Sequence, residues 1–437
     1  MRHFAIVGSG PAGFYTAEAL AKAYGDGARI DIIDKLPVPY GLIRFGVAPD
    51  HQSIKAVAKR YDQVADTDHV RFVGNVAIGD AVAVDELVAL YDAVVLATGA
   101  PHDRTLGIEG EQLANVFGSA AFVGWYNGHP EFAALDPALD GKHAVVIGNG
   151  NVALDVARIL SKSEAEFTGS DIVGHALDAL RDSAIATITI LGRRGPHQIA
   201  MTPKELGELA HLERAAPVVE EADFPPVEAD QALEDRGLAK SVGLLRDFLG
   251  IDPAGKPKRI VFDFFAKPLR IEGEGKAEAV VVERTRLDGG RAVGTGEEYR
   301  LPADLVVSCI GYASPQLPGV PYDHAHGKFL NDHGQVGERL YVVGWARRGP
   351  SGTIGTNRPD GYEVAEQIAA AMPPGSDGGR DGGAGLDRLL CARDVQATTY
   401  ADWRKIEAAE AAAARPGSPR EKFVRHGDWL EVIGEGA

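Results

Sequence analysis

The sequence predicts an α/β protein built from two doubly wound, Rossmann-like domains. Three observations predict it. A strand, a glycine-rich turn and a helix follow one another over residues 4–24. The same succession recurs from residue 143. Other apolar runs stop at a glycine, as buried parallel strands do.

Each element follows from its residues. Phe4-Ala5-Ile6-Val7 is a short apolar strand running into Gly8; residues 11–24 read as a helix and 29–34 as a second strand, a βαβ unit. Residues 143–147 (strand), 148–151 (turn), 152–160 (helix) and 187–191 (strand) repeat it. The two turns begin at residues 8 and 148, a separation that fits two domains and no short-period solenoid. Residues 93–97, 305–310 and 340–343 read as further buried strands, each followed by a nearby glycine. Residues 261–265 and 279–282 read as antiparallel strands attached to the second domain. The Pro/Gly/Asp-rich stretch 373–385 reads as a flexible loop, and the Ala/Glu-rich stretch 402–414 as an exposed helix. The expected boundaries are 1–103 and 320–437 for a discontinuous first domain, with 104–319 as the second.

Composition narrows the function classes. The chain has 437 residues, 45% of them apolar, and a net charge of −17. Such a charge disfavours general nucleic-acid binding, because phosphates are repelled. Cys309 and Cys391 are the only cysteines, so a CxxC dithiol, a zinc knuckle and an iron–sulfur ligand set are excluded, and no metal site is expected. Low cysteine use fits the cytoplasm. Met1-Arg2-His3 leads straight into a strand, so no signal peptide is expected. No apolar run approaches the roughly 20 residues of a membrane helix, so no membrane insertion is expected.

Two turns carry chemistry. Gly8-Ser9-Gly10-Pro11-Ala12-Gly13 is the GxGxxG fingerprint: its glycines permit a tight turn, close approach of a pyrophosphate and tight helix–strand packing. The helix N-terminus offers amide donors to phosphate, and Asp34 ends the next strand where a carboxylate takes a ribose hydroxyl. Its N-terminal position, with Val94-Val95-Leu96-Ala97-Thr98-Gly99 downstream and a second fingerprint beyond, is the layout of two-dinucleotide flavoproteins and assigns it to FAD. Taken alone, the Ala-Thr-Gly segment reads as an ordinary strand end. The second fingerprint, Gly148-Asn149-Gly150-Asn151-Val152-Ala153, is the GxGxxA form. The strand after it ends at Leu191-Gly192-Arg193-Arg194, where an NAD site usually has an acid. Two arginines there favour a 2′-phosphate and assign the turn to NADP(H).

At this point the sequence resembles the adrenodoxin-reductase-like ferredoxin–NADP reductases, over nearly the whole chain. The resemblance rests on GSGPAGFYTAEAL at 8–20, YGLIRFGVAPDH at 40–51, GNV at 74–76, GNGNVALDVARIL at 148–160, LGRRGP at 191–196 and GWARRGPSGTIGTN at 344–357. It implies a two-dinucleotide-binding flavoprotein fold, with FAD held by Gly8, Gly10, Ala12, Gly13, Asp34, Leu42 and Val76 on one side. Trp345, Gly352, Thr353 and Ile354 hold it on the other. It implies NADPH contacts from Asn149, Gly150, Asn151, Val152, Arg193, Arg194, Glu205 and Gly352. His51 and Glu208 match positions near the nicotinamide–flavin contact, where a His/carboxylate pair relays protons. Asp34 stands where the family more often has Glu, and Asn149 where Gln is common. Trp403 and Trp429 in the tail read as packing residues.

The implied activity is that of an NADPH-dependent flavoprotein oxidoreductase, in which FAD accepts hydride from NADPH and passes single electrons to a ferredoxin-like iron–sulfur protein. A cytochrome P450 or another iron–sulfur-dependent pathway would be the downstream consumer. The basic residues expected to face that acidic partner are Arg236, Lys240 and Arg246, then Lys55 and Lys59. The alternatives are a redox-responsive FAD/NADPH-binding protein with slow turnover, and a related flavin oxidoreductase with another acceptor. The absent CxxC argues against a thioredoxin reductase, and the absent cysteine-rich N-terminus against a glutamate synthase small subunit.

Overall fold

A computed structural model describes residues 1–376 and 378–434. The chain forms two compact units: Met1–His102, Asn127–Pro130 and Tyr312–Ala437 in one, Asp103–Tyr126 and Glu131–Gly311 in the other. The second boundary thus falls at Gly311, and a four-residue segment, Asn127–Pro130, belongs with the first unit.

In the first unit, β1 (Arg2–Val7), helix α1 (Pro11–Tyr24), β2 (Ala28–Ile33), β3 (Val70–Val73) and β4 (Ala93–Leu96) come in order. The second unit contributes β5 (Val116–Gly118), β6 (His143–Ile147), helix α2 (Asn151–Ser161), β7 (Thr187–Gly192), helix α3 (Pro203–Glu208) and β8 (Ala215–Val218). It continues with β9 (Lys258–Phe264), β10 (Ala266–Glu272), β11 (Ala279–Asp288), β12 (Arg291–Pro302) and β13 (Leu305–Ser308). Back in the first unit the chain forms β14 (Leu340–Val342), helix α4 (Gly382–Ala392) and helix α5 (Tyr400–Ala412).

The first unit's sheet is parallel, in the order β14-β4-β1-β2-β3. Alternate residues of β1 enter different cores: Phe4 and Ile6 face one apolar cluster, Ala5 and Val7 the other. A parallel sheet is stable when covered on both faces, which is why these strands read as unbroken apolar runs. The second unit's main sheet is also parallel, in the order β5-β13-β6-β7-β9-β8. A three-stranded antiparallel sheet, β10-β11-β12, belongs to the same unit.

Three expectations need correction. The strand expected at 261–265 is not antiparallel: β9 pairs in parallel with β7 and β8 inside the main sheet. Only the next strand, after the turn at Phe265, enters the antiparallel sheet. Composition could not distinguish these roles, since both sheets bury apolar residues on at least one face. The glycine-rich stretch 373–385 is not wholly a loop; α4 starts inside it, at Gly382, while Asp377 lies outside the described residues. Several of its glycines serve close contact. A Cβ at Gly382 would lie 2.2 Å from the His3 ring, and one at Gly385 2.5 Å from Leu90 Cδ2. Finally, α5 is not an exposed helix. Trp403, Ile406 and Glu410 form a fully buried stripe, and the Glu410 carboxylate accepts from the Arg44 guanidinium and from Phe423 N–H. Trp403 and Trp429 are both fully buried, as packing residues are.

Among the described residues no helix is long and apolar enough to cross a membrane.

Candidate functional site

The first turn joins β1 to α1. Gly8 has φ +112, and a Cβ there would lie 2.4 Å from the Ala97 carbonyl oxygen, so the neighbouring strand end leaves no room for a side chain. A Cβ on Gly13 would sit 2.0 Å from the Gly8 carbonyl oxygen, the close helix–strand contact that the third glycine of such a turn permits. Gly10 differs. It is the N-cap of α1, with φ −77 and ψ −175, and a Cβ there would meet nothing within 4 Å. Pro11 opens the helix, where its missing N–H costs nothing. Two glycines are therefore filled by protein and one faces space, beside the positive end of a helix dipole.

Asp34, just past β2, is already engaged. Its Oδ2 accepts from Ser9 N–H at 2.9 Å and from Ser9 Oγ at 2.5 Å, and its Oδ1 accepts from Leu36 N–H at 3.0 Å. A carboxylate offers about four lone-pair sites, so one remains for a hydroxyl. Ser9 locks the carboxylate toward the turn, a role the sequence did not reveal. Val76 is fully buried, and its N–H donates to the Asp34 carbonyl at 2.9 Å. Leu42 is 39% exposed at the start of the short helix Leu42–Phe45. Sequence reasoning also passed over Thr98 at the end of β4: its Oγ1 is buried without a hydrogen-bond partner. The signal was the Ala-Thr-Gly segment that reads as an ordinary strand end.

Residues 345–354 are in the same unit. Trp345 Nε1 donates to the Ser351 carbonyl at 3.0 Å, and its ring stacks on Tyr312 at 6.0 Å. Gly352 (φ +82) and Thr353 are exposed, and Ile354 is half-buried. His51 is 8% exposed and precedes the helix Gln52–Lys55; its N–H donates to Ala48 O at 3.0 Å. Lys55 is buried, with Nζ 3.4 Å from Asn127 Oδ1, which removes it from the expected basic surface.

In the second unit, Gly148 (φ +146) repeats the arrangement of Gly8, here against the Cys309 carbonyl. Gly150 caps α2 and, like Gly10, has open space where a Cβ would be. Asn151 Oδ1 accepts from Thr202 N–H at 2.8 Å, tying α2 to the start of α3. Val152 is half-buried in the first turn of α2. Asn149 Oδ1 and Glu205 Oε2 are buried without hydrogen-bond partners. These two atoms can take polar groups of a ligand, although the fold also buries unpaired side-chain atoms in packing residues, such as Trp403 Nε1 and Trp429 Nε1. Glu208, at the end of α3, lies 3.4 Å from Arg158 Nη1, which also donates to Asp155 at 2.7 Å.

Arg193 and Arg194 follow β7 directly. Both are exposed, and neither guanidinium has a hydrogen bond or ion pair among the described residues. Elsewhere arginines are heavily paired: Arg246, for instance, binds Asp230 and lies 4.7 Å over the Phe224 ring. That pairing leaves Arg236 and Lys240 as the exposed bases of the helix Arg236–Phe248.

The same unit contains a carboxylate pair, Asp223 and Asp263. Asp263 accepts from Arg284 at 2.6 Å and from Tyr299 Oη at 2.6 Å. Burial, then the Asp263 charge, pushes Asp223 from 3.8 up to about 6, against the pull of Arg284. A folded value above the unfolded one means that the fold favours the protonated form. That contribution is full below about pH 4 and lost as pH rises through about 6. Asp223 is only half-buried, so solvent screening leaves about 1 kcal/mol of the penalty; Asp223→Asn, uncharged throughout, is expected to raise Tm at pH 7.5 by about 2–4 °C for a unit of this size, and to leave it nearly unchanged at pH 4. Calorimetry at both pH values checks this; an equal shift at both would assign the effect to packing.

Two glycine turns, each at the end of a parallel strand and each capping a helix, define a two-dinucleotide oxidoreductase architecture. Residues 2–189 match the model of the pyridine nucleotide-disulphide oxidoreductase family. The chain is 41% identical over 448 residues to the NADPH-ferredoxin reductase FprA of Mycobacterium leprae, covering 99% of this chain and 98% of that protein. It is 40% identical over 450 residues to the mitochondrial NADPH:adrenodoxin oxidoreductase of Homo sapiens, covering 98% of this chain and 91% of that protein. The structure of Mycobacterium tuberculosis FprA in complex with NADPH superposes with a TM-score of 0.95 at 39% identity, covering 99% of both chains. The chain belongs to the family of NADPH-ferredoxin and NADPH:adrenodoxin reductases.

Proposed function

We propose that the chain is an FAD-containing, NADPH-dependent reductase of a ferredoxin-like iron–sulfur protein. The observation that carries this reading is the pair of open glycine cradles, at Gly10 and Gly150, with two unpartnered arginines in the unit of the second. The first unit is the FAD-binding one. Gly10 leaves room for the pyrophosphate at the α1 N-terminus, Gly8 and Gly13 let the turn pack closely enough to form that cradle, Ala12 stands in the first turn of α1, and Asp34 offers its remaining acceptor site to ribose. Leu42, Val76, Trp345, Gly352, Thr353 and Ile354 shape the rest of the cradle. The second unit binds NADPH: Asn149, Gly150, Asn151 and Val152 at the α2 N-terminus, Arg193 and Arg194 on the 2′-phosphate, and Glu205 as an acceptor. When bound, the flavin supplies the conversion of a two-electron hydride donor into single-electron steps. The chain's own residues bind, orient and exclude water.

That the relatives are an NADPH-ferredoxin reductase and an NADPH:adrenodoxin oxidoreductase supports ferredoxin or adrenodoxin as acceptor. Arg236 and Lys240 are the exposed bases offered to such an acidic partner. Both cysteines are free, which supports a reducing compartment such as the cytoplasm.

NADPH oxidation followed with and without ferricyanide tests the reading. Rapid, acceptor-dependent oxidation by yellow protein is expected; colourless protein, or oxidation no faster with acceptor, would overturn it and favour the slow-turnover binding protein. We assign His51 in the first unit and Glu208 in the second, each by itself, to proton handling in the redox reaction. His51→Gln is expected to lower kcat with FAD retained, by up to the roughly 100-fold that a general acid–base group contributes when a proton moves in the slow step. Loss of FAD instead would show that His51 is structural.

A further inference from the structure

The two arginines assigned to the 2′-phosphate stand on a loop, and the structure shows what holds that loop. The Arg193 carbonyl accepts from Thr285 Oγ1 at 2.9 Å, and the Arg194 carbonyl accepts from Phe265 N–H at 3.3 Å. Gly195 N–H donates to Gln198 Oε1 at 3.2 Å. A Cβ on Gly195 would lie 2.4 Å from Phe265 Cζ, so the aromatic ring occupies the place that a side chain there would take. The loop backbone is thus fastened by two residues distant in sequence.

Both fasteners are unusual. Phe265 joins β9 to β10 with φ +52, a left-handed conformation that costs a bulky residue free energy and persists only when its surroundings impose it. Its carbonyl accepts from Thr285 N–H at 2.8 Å, and the Phe264 carbonyl accepts from Arg284 Nη1 at 3.2 Å. Thr285 is 6% exposed and sits where the β11–β12 register shifts, between Glu283 and Thr285. Such irregularities re-aim side chains. Here one residue sends its amide to Phe265 and its hydroxyl to Arg193.

We propose that Thr285 and Phe265 are positioning residues for cofactor specificity: they fix the Arg193-Arg194-Gly195 backbone so that both guanidinium groups are presented to a 2′-phosphate. The proposal rests on the reading of Arg193 and Arg194 given above. Two adjacent cations on long, flexible stems repel each other and lose rotamer freedom on binding. A backbone fixed beforehand lowers that cost, and it does so only for the ligand that carries the phosphate.

The test uses the holoenzyme with Thr285→Val, Thr285→Ser and Arg193→Ala. Thr285→Val keeps the branched shape and removes the hydroxyl donor. KM for NADPH is expected to rise roughly threefold to tenfold, the range for one lost hydrogen bond. KM for NADH should stay within about twofold and kcat should be kept. Inhibition by adenosine 2′,5′-bisphosphate should weaken by the same factor as NADPH, and inhibition by AMP should not change. Thr285→Ser restores NADPH binding. Phe265→Asn, which tolerates the left-handed backbone but lacks the ring, is a second variant in case Thr285→Val does not fold, and the same selective loss is expected. Equal rises for NADPH and NADH, no change in either, or failure of serine to rescue would overturn the proposal. If Arg193→Ala itself fails to separate NADPH from NADH, the 2′-phosphate reading falls, and this proposal with it.

Discussion

Gly10→Ala is expected to fold as the parent protein does and to lose its flavin. Gly10 already has a φ of −77, which alanine adopts freely, and the added methyl meets no protein atom within 4 Å. Folding stability should therefore change by less than about 0.5 kcal/mol, as for an exposed substitution. The methyl instead enters the space where a pyrophosphate approaches the α1 amides. FAD affinity is expected to fall at least about 100-fold, equivalent to about 2.7 kcal/mol. Gly13→Ala is the contrast: its Cβ would lie 2.0 Å from the Gly8 carbonyl oxygen, so α1 has to move off β1 and the fold itself is destabilised. Flavin absorbance of the purified variants, with circular dichroism and thermal melts, separates the two. Gly10→Ala protein that retains one FAD per chain would refute the assignment of this turn.

Arg193→Ala and Arg194→Ala should each raise KM for NADPH about tenfold or more. Charge-assisted hydrogen bonds to a phosphate contribute roughly 1.5–3 kcal/mol each, and about 1.4 kcal/mol is a factor of ten. Both guanidinium groups are exposed and without partners among the described residues, so their removal breaks no internal contact. KM for NADH should move little or improve, since two facing like charges are relieved. The value of kcat with NADPH should be largely kept, because the phosphate is remote from the transferred hydride; that is the pattern of lost uniform binding. Steady-state kinetics with both nucleotides decides the matter. Equal weakening of NADPH and NADH would make the arginines structural.

Much of the site was legible because it consists of local segments. A fingerprint turn needs strand, glycines and helix in immediate succession, and residues 4–24 and 143–161 spell that out. Arg193 and Arg194 were legible for the same reason: they come directly after a recognisable strand. The 261–265 strand was misplaced because its apolar pattern is equally compatible with either sheet. Its partners, β7 and β8, are set by tertiary pairing. The buried face of α5 was hidden by its Ala/Glu composition. Glu410 reads as a solvent residue until Arg44, more than three hundred residues earlier, pairs with it.

The two α/β domains, the two nucleotide turns and the arginine pair that replaces an acid at the second are all written in short runs of neighbouring residues. Which glycines are packed shut and which stand open emerged from the three-dimensional packing. It alone showed that Ser9 holds Asp34, that Thr98, Asn149 and Glu205 have buried atoms without partners, and that Thr285 and Phe265 fasten the arginine loop. These properties depend on atoms brought together from distant parts of the chain. No local pattern encodes such contacts, because each residue involved is ordinary in its own segment and acquires its role from what the fold places against it.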